Sequence, residues 1–191
     1  MQFGFIIPGG DITTVLELAV AAEEAVWDGV FIPDCISIQT STMSARPAFD
    51  PWALLGAMAA RTQRVKLGTI ITPVSRRRPW KLASEAVTVD HLSSGRLILA
   101  VGLGAAEDDA GFAKVGEAMA LKTRAERLDE ELAIIDGLWR GTPFTFHGQH
   151  FQVEEMIMLP PPVQHALAPA LLITHPRLPA AHRPAKFLGL F

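Results

Sequence analysis

Short apolar runs alternate with amphipathic stretches along this chain. Phe3-Gly4-Phe5-Ile6-Ile7 stops at Pro8-Gly9-Gly10. A short, continuous, turn-bounded run of this kind predicts a buried strand. Val15, Leu16, Leu18, Ala19, Ala22, Ala25 and Val26 then recur at helical spacing, with Thr14 and Glu17 as a capping box and Asp28-Gly29 as the stop. Val30-Phe31-Ile32 is a second buried strand. Asp50-Pro51 caps and opens a helix through Arg61. Val65 to Ile71 predicts a third strand, and Pro79 opens a helix to about Leu92. Ser93-Ser94-Gly95 turns the chain into a fourth strand, Leu97 to Val101. Leu128, Leu132, Ile135 and Leu138 mark a long helix from about Lys122 to Trp139, broken by Gly141-Thr142-Pro143. Phe144 to Val153, turning at Gly148, predicts a small hairpin, and Leu171-Leu172-Ile173 a fifth strand.

Apolar strands separated by amphipathic helices mean parallel strands with right-handed crossovers. No composition shift divides the chain before Pro160, and Pro160-Pro161-Pro162 reads as an extended loop leading into strand five. A single α/β domain over residues 1–191 is the expectation, with the hairpin at about 144–153 as an insertion.

Composition supports this reading. Of 191 residues 49% are hydrophobic and 19% charged, enough apolar content for a sizeable core and too much for disorder. Seventeen basic against twenty acidic residues lack the surplus of a nucleic-acid binder. A lone cysteine, Cys35, excludes an intrachain disulfide. No run is long and apolar enough for a membrane span, and no basic region precedes the first apolar run. A soluble cytoplasmic protein is expected.

In parallel α/β folds, functional residues gather at the carboxyl ends of strands. Here those ends are Ile7-Pro8-Gly9, Pro33-Asp34-Cys35, Ile70-Ile71-Thr72-Pro73, Gly102-Leu103-Gly104 and Thr174-His175. Gly102-Leu103-Gly104 is not a dinucleotide fingerprint, because Glu107 stands where the third glycine belongs. It fits a sharp turn or a close approach to a flat ligand. Asp34 is placed to accept a hydrogen bond or proton from a ligand, though a loop aspartate also bonds its own backbone. Cys35 reads as packing rather than as a nucleophile. His147 and His150 lack acidic neighbours at ligand spacing, so no metal site is assigned. Arg76-Arg77-Arg78 fits either an anion contact or a solvated loop. Trp52, Trp80 and Trp139 sit in helical frames and read as packing residues.

Several segments together resemble the bacterial luciferase-like flavin-dependent oxidoreductases. They are Asp50-Pro51-Trp52-Ala53-Leu54-Leu55, Arg61 through Thr69, Thr72 through Ala83, Asp90-His91-Leu92-Ser93-Ser94-Gly95-Arg96-Leu97 and Val101-Gly102-Leu103-Gly104. Leu128-Asp129-Glu130, Leu138-Trp139-Arg140-Gly141, Phe146-His147-Gly148 and Leu159 through Gln164 continue the same register. Residues 165–191 keep it in degraded form.

The resemblance implies a TIM (β/α)8 barrel that binds FMN or, alternatively, a deazaflavin coenzyme at its carboxyl face. It implies a monooxygenase-type oxidoreductase using reduced flavin and oxygen on a small organic substrate, or hydride transfer with the deazaflavin. Nucleic acid and membrane are not expected partners, and homo-oligomers are common among relatives. Asp34 aligns with the first residue of an Asp-His pair, but Cys35 replaces the histidine, so no general base carries over. The bond Ile70-Ile71 aligns with a non-proline cis peptide that forms a bulge behind the flavin. The candidate cofactor-binding residues are therefore Asp34, Ile70, Ile71, Thr72, Gly102 and Gly104. No catalytic residue is assigned.

A full barrel takes roughly 250 residues. Five strands, with Gly189-Leu190-Phe191 as the start of a sixth, predict an incomplete barrel, apparently truncated at its C-terminus. Thr174-His175 replace an expected glycine, and Pro184 falls inside the expected fifth helix. An open sheet edge predicts association or poor solubility. A non-catalytic barrel remnant or interaction subunit is thus the alternative to an enzyme. A different parallel α/β enzyme sharing only the barrel is a third reading.

Overall fold

A computed structural model describes residues 2–35, 38–40, 43–46, 49–104, 112–164 and 170–171. Eleven strands and four α-helices follow one another among these residues. Strand β1 (Gly4–Ile6), helix α1 (Ile12–Glu24) and strand β2 (Gly29–Ile32) form the first unit. A short antiparallel hairpin, β3 (Ile38–Thr40) and β4 (Met43–Arg46), precedes α2 (Pro51–Arg61). Then come β5 (Lys66–Thr69), β6 (Thr72–Pro73), a 3-10 turn over Val74–Arg76, and α3 (Pro79–Leu92). Strands β7 (Leu97–Ile98) and β8 (Ala100–Gly102) lead to α4 (Leu121–Trp139). The hairpin β9 (Phe144–His147) and β10 (Gln152–Met156) and the short β11 (Ala170–Leu171) complete the series.

The parallel strands run in the order β1-β2-β5-β7 and, beyond the breaks, β6-β8-β11. Because β6 follows β5 and β8 follows β7, the chain supplies five neighbouring strand positions of a barrel, all parallel. Strand five is described only at Ala170–Leu171. The expected Leu172-Ile173, Thr174-His175, Pro184 and Gly189-Leu190-Phe191 lie outside the described residues.

Four expectations need correction. The cap of α1 is Asp11, whose carboxylate accepts from the Thr14 amide at 3.0 Å and from its hydroxyl at 2.6 Å. Thr14 is thus the capped residue, and the Thr14/Glu17 box does not form. The helix also stops at Glu24, short of Asp28-Gly29, where Val26 turns the chain at φ 65°. The third strand is not continuous from Val65 to Ile71, because a cis Ile70-Ile71 bond separates β5 from β6. The fourth is interrupted at Leu99. The predicted starts at Asp50-Pro51 and Pro79 match α2 and α3, with the Asp50 carboxylate accepting from the Ala53 amide at 2.8 Å.

Helices pack on one side of the sheet through Val15, Ala19, Leu55, Met58, Leu82, Ala86, Ile134, Ile135 and Leu138. Each large member contributes about 1.5–3 kcal/mol of hydrophobic burial. On the other face the Phe31 ring lies across three strands, and only glycine leaves room for it. A Cβ on Gly4 would come within 2.7 Å of the ring, on Gly29 within 2.9 Å and on Gly68 within 3.2 Å. Trp139 packs as expected and donates its indole N–H to the Ala83 carbonyl at 3.1 Å. Trp52 is buried, whereas Trp80 is partly exposed and meets Phe151 edge-on.

Candidate functional site

The strand ends converge on a carboxyl face built from the loops after β2, β6 and β8. Ile70 and Ile71 lie there between two buried threonines. Thr69 and Thr72 share a hydroxyl–hydroxyl bond of 2.7 Å across the cis peptide, and both are buried. Ile70 stays 36% exposed although its amide donates to the Ile32 carbonyl at 2.9 Å. Ile71 is half-buried. An apolar side chain left open inside a buried segment is the kind of surface a flat apolar ligand covers. Gly9, after β1, has φ +132°, and among the described residues nothing lies within 4 Å of where a Cβ would stand.

Asp34 is buried, and both its carboxylate oxygens are engaged. Arg76 donates to Oδ1 at 2.7 Å and to the Asp34 carbonyl at 2.6 Å. Arg77 donates from Nε to Oδ2 at 3.1 Å and from Nη2 to Oδ1 at 2.9 Å and Oδ2 at 2.8 Å. The arginine run therefore answers an anion of its own chain, except that Arg78 stays exposed. The spacing of 42 and 43 residues explains why no local motif signals the pairing. Cys35 is half-buried and lines a small apolar cavity of about 40 Å³ with Ile7, Pro8, Ile32 and Phe49.

Gly102 ends β8, is buried, and pairs with Pro73. Gly104 turns the chain at φ +72°, and a Cβ there would meet Pro73 Cβ at 2.8 Å and Phe112 Cζ at 3.3 Å. Its close approach is therefore to protein. Arg124 of α4 donates to the Leu103 and Gly104 carbonyls, each at 2.9 Å. The guanidiniums of Arg76 and Arg124 lie over the Phe112 ring, 5.5 and 5.6 Å from its centroid. Sequence reasoning missed both Arg124 and Phe112. Arg124 looks like one more polar position on an amphipathic helix, and Phe112 stands outside any periodic run.

His147 and His150 do not converge. His147 Nδ1 bonds Gln152 Oε1 at 2.8 Å, and His150 Nε2 lies 3.3 Å from Glu126. Among the described residues no group of three His, Cys, Asp or Glu is placed to hold a metal. No described helix is long and apolar enough to cross a membrane.

On α4 the Glu131 carboxyl is fully buried, and neither oxygen is hydrogen-bonded among the described residues. Burial pushes its pKa up to about 9; Arg127 opposes the shift, while Glu117 and Glu130 add to it.

Parallel strands with helices on one face, and loops gathered at the strand carboxyl ends, define an incomplete (β/α)8 barrel. The chain belongs to the luciferase-like monooxygenase family, whose profile matches residues 1–187. It is 37% identical over 140 residues to an F420-dependent glucose-6-phosphate dehydrogenase of Nakamurella multipartita, covering 73% of this chain and 40% of that protein. A protein of the same name from Microbacterium testaceum is 33% identical over 151 residues, 78% of this chain and 44% of that protein. Among solved structures, an F420-dependent secondary alcohol dehydrogenase in complex with an F420-acetone adduct superposes with TM-score 0.76 at 26% identity. The match covers 90% of this chain and 51% of that one. Monooxygenase RslO1 from Streptomyces bottropensis gives 0.72 at 28% identity, covering 91% and 53%. The chain thus spans less than half the length of these curated relatives and about half of these solved ones.

Proposed function

We propose that this chain forms part of the cofactor face of an oxidoreductase that uses the deazaflavin F420, or FMN, on a small organic substrate. The observation that carries the proposal is the exposed Ile70 beside half-buried Ile71, framed by buried Thr69 and Thr72 at the strand end. That surface fits a flat ring system. The bound cofactor would supply the two-electron chemistry, and the protein orients it and keeps water away. Ile70 and Ile71 would wall one side of the ring, with Gly9 leaving space at the end of β1, two strand positions away. Thr72, Gly102 and Gly104 would shape the wall from behind. Asp34 would serve through the arginines it orders, since both its oxygens are already engaged.

The deazaflavin reading draws support from relatives named as F420-dependent at 37% and 33% identity. The monooxygenase reading draws support from the family name and from the likeness to monooxygenase RslO1, with FMN as the cofactor that the family resemblance implies. Fluorescence titration of the purified 191-residue chain with F420 and with FMN decides between them. Saturable binding of one and not the other assigns the cofactor. Binding of neither sinks the enzymatic reading for this chain and favours a non-catalytic barrel remnant or interaction subunit.

A further inference from the structure

We propose that Phe112 is a positioning residue that, with Asp34, Arg76 and Arg124, joins the loops after β2, β6 and β8 into one mechanical unit. The unit would set the shape of the surface assigned above to a flavin, and only that last step rests on the proposed function.

Four contacts run in series. Arg76, in the turn after β6, holds the loop after β2 through the Asp34 carbonyl at 2.6 Å and carboxylate at 2.7 Å. Its guanidinium lies over the Phe112 ring. Arg124 lies over the same ring and holds the loop after β8 through the Leu103 and Gly104 carbonyls, both at 2.9 Å. The Phe112 edge also closes on Gly104, where an added Cβ would stand 3.3 Å away.

Phe112 has no exposed surface, yet it is not part of the contiguous hydrophobic core that joins the sheet to the helices. A buried phenyl ring normally earns its place by apolar packing. This one is faced by two cations, which its π surface attracts more strongly when water is excluded. A leucine would keep part of the apolar contact and lose that attraction. The two guanidiniums would then lose the ring they share. Disturbance at residue 112 should consequently reach Asp34, which does not depend on Phe112 for any hydrogen bond of its own.

Hydrogen–deuterium exchange on the full chain tests this directly. Phe112→Leu is compared with Phe151→Leu, which removes a buried ring at the β9–β10 hairpin. Exchange in peptides spanning 29–35 and 99–104 should rise about tenfold in Phe112→Leu and stay unchanged in Phe151→Leu. Arg76→Lys keeps the charge and loses the planar fork; it should raise exchange at 99–104, which Arg76 reaches through Phe112 and Arg124. A rise confined to residues near 112, or spread evenly over the chain, overturns the proposal. Should Phe112→Leu fail to fold, an unchanged 99–104 segment in Arg76→Lys overturns it equally. Titration with F420 and FMN then reads the functional consequence, with binding weakened about tenfold in Phe112→Leu and within twofold of wild type in Phe151→Leu. If wild type binds neither cofactor, the flavin reading fails while the exchange data still decide the linkage.

Discussion

Arg77 grips Asp34 side-on: Nε reaches Oδ2 at 3.1 Å and Nη2 spans both oxygens at 2.9 and 2.8 Å. The carboxylate side chain is 1% exposed and that of Arg77 17%, so the pair is shielded from water. A second arginine, Arg76, shares Oδ1 and is 5% exposed. Removing the anion takes the Oδ1 contact from Arg76 and leaves Arg77 facing the Glu85 carboxylate at 3.5 Å. Asp34→Ala should therefore cost about 3–5 kcal/mol, the range for breaking a buried pair from one side. Urea denaturation at pH 7 reads this. A loss below about 1 kcal/mol would mean that water reaches the cluster and that the pairing is a surface one.

Arg96 does comparable work at the opposite end of the strands. Its guanidinium donates to the carbonyls of Ala59 at 3.0 Å, Thr62 at 2.9 Å and Val65 at 2.8 Å, and its Nε to the Ser93 carbonyl at 2.7 Å. Two of these carbonyls belong to the end of α2, which lacks partners within the helix. Lysine carries the same charge but cannot fan out to four acceptors. Arg96→Lys should cost about 2–3 kcal/mol in a denaturant titration, at roughly 1 kcal/mol per orphaned carbonyl. Flavin or F420 affinity, measured below the transition, should stay unchanged.

That contrast explains what could be read in the sequence. Buried parallel strands appear as continuous apolar runs, and Asp50-Pro51 and Pro79 mark helix starts through their own backbone chemistry. Two of the motifs that carried the family resemblance prove to be scaffold contacts. Asp90 accepts from the amides of Val163 at 2.7 Å and Gln164 at 3.1 Å, and from the Gln164 side chain at 2.7 Å. Two of the quoted segments thus touch each other, 73 and 74 residues apart. The Asp34–Arg76–Phe112–Arg124 series has no such signature, because each link joins residues far apart in sequence by side-chain geometry alone. The β3–β4 hairpin has no such signature either: Gln39 to Ser44 is polar apart from Met43 and carries no alternating apolar pattern.

Gly104 offers a sharper probe of the loop after β8. Its φ of +72° disfavours any L side chain, and Pro73 Cβ would stand 2.8 Å from a new methyl. Gly104→Ala should cost about 1–3 kcal/mol of backbone strain, with the proline contact adding to it. Gly116 has a similar φ of +77° and open space around it. Gly116→Ala should consequently show the backbone cost without the steric one. A thermal melt of both variants separates the two contributions, and equal losses would rule out contact with Pro73 as a determinant.

Glu131 predicts how stability depends on pH. Burial raises its folded pKa to about 9, against an ordinary 4.5 in the unfolded chain. Between those values the folded state holds a proton that the unfolded state has released. Stability from this group is therefore fully present below about 4.5 and falls as pH rises toward 9, by about 1.4 kcal/mol per pH unit for one proton. Glutamine has nearly the same shape and no charge to bury. Glu131→Gln should stay within about 1 kcal/mol of wild type at pH 5, where the unfolded carboxyl is still partly protonated. It should be the more stable protein at pH 8. Urea midpoints at pH 5, 6, 7 and 8 supply the slopes, and the variant's should be shallower by one proton. Parallel slopes would show that Glu131 is ionised in the folded protein and has found a partner or water.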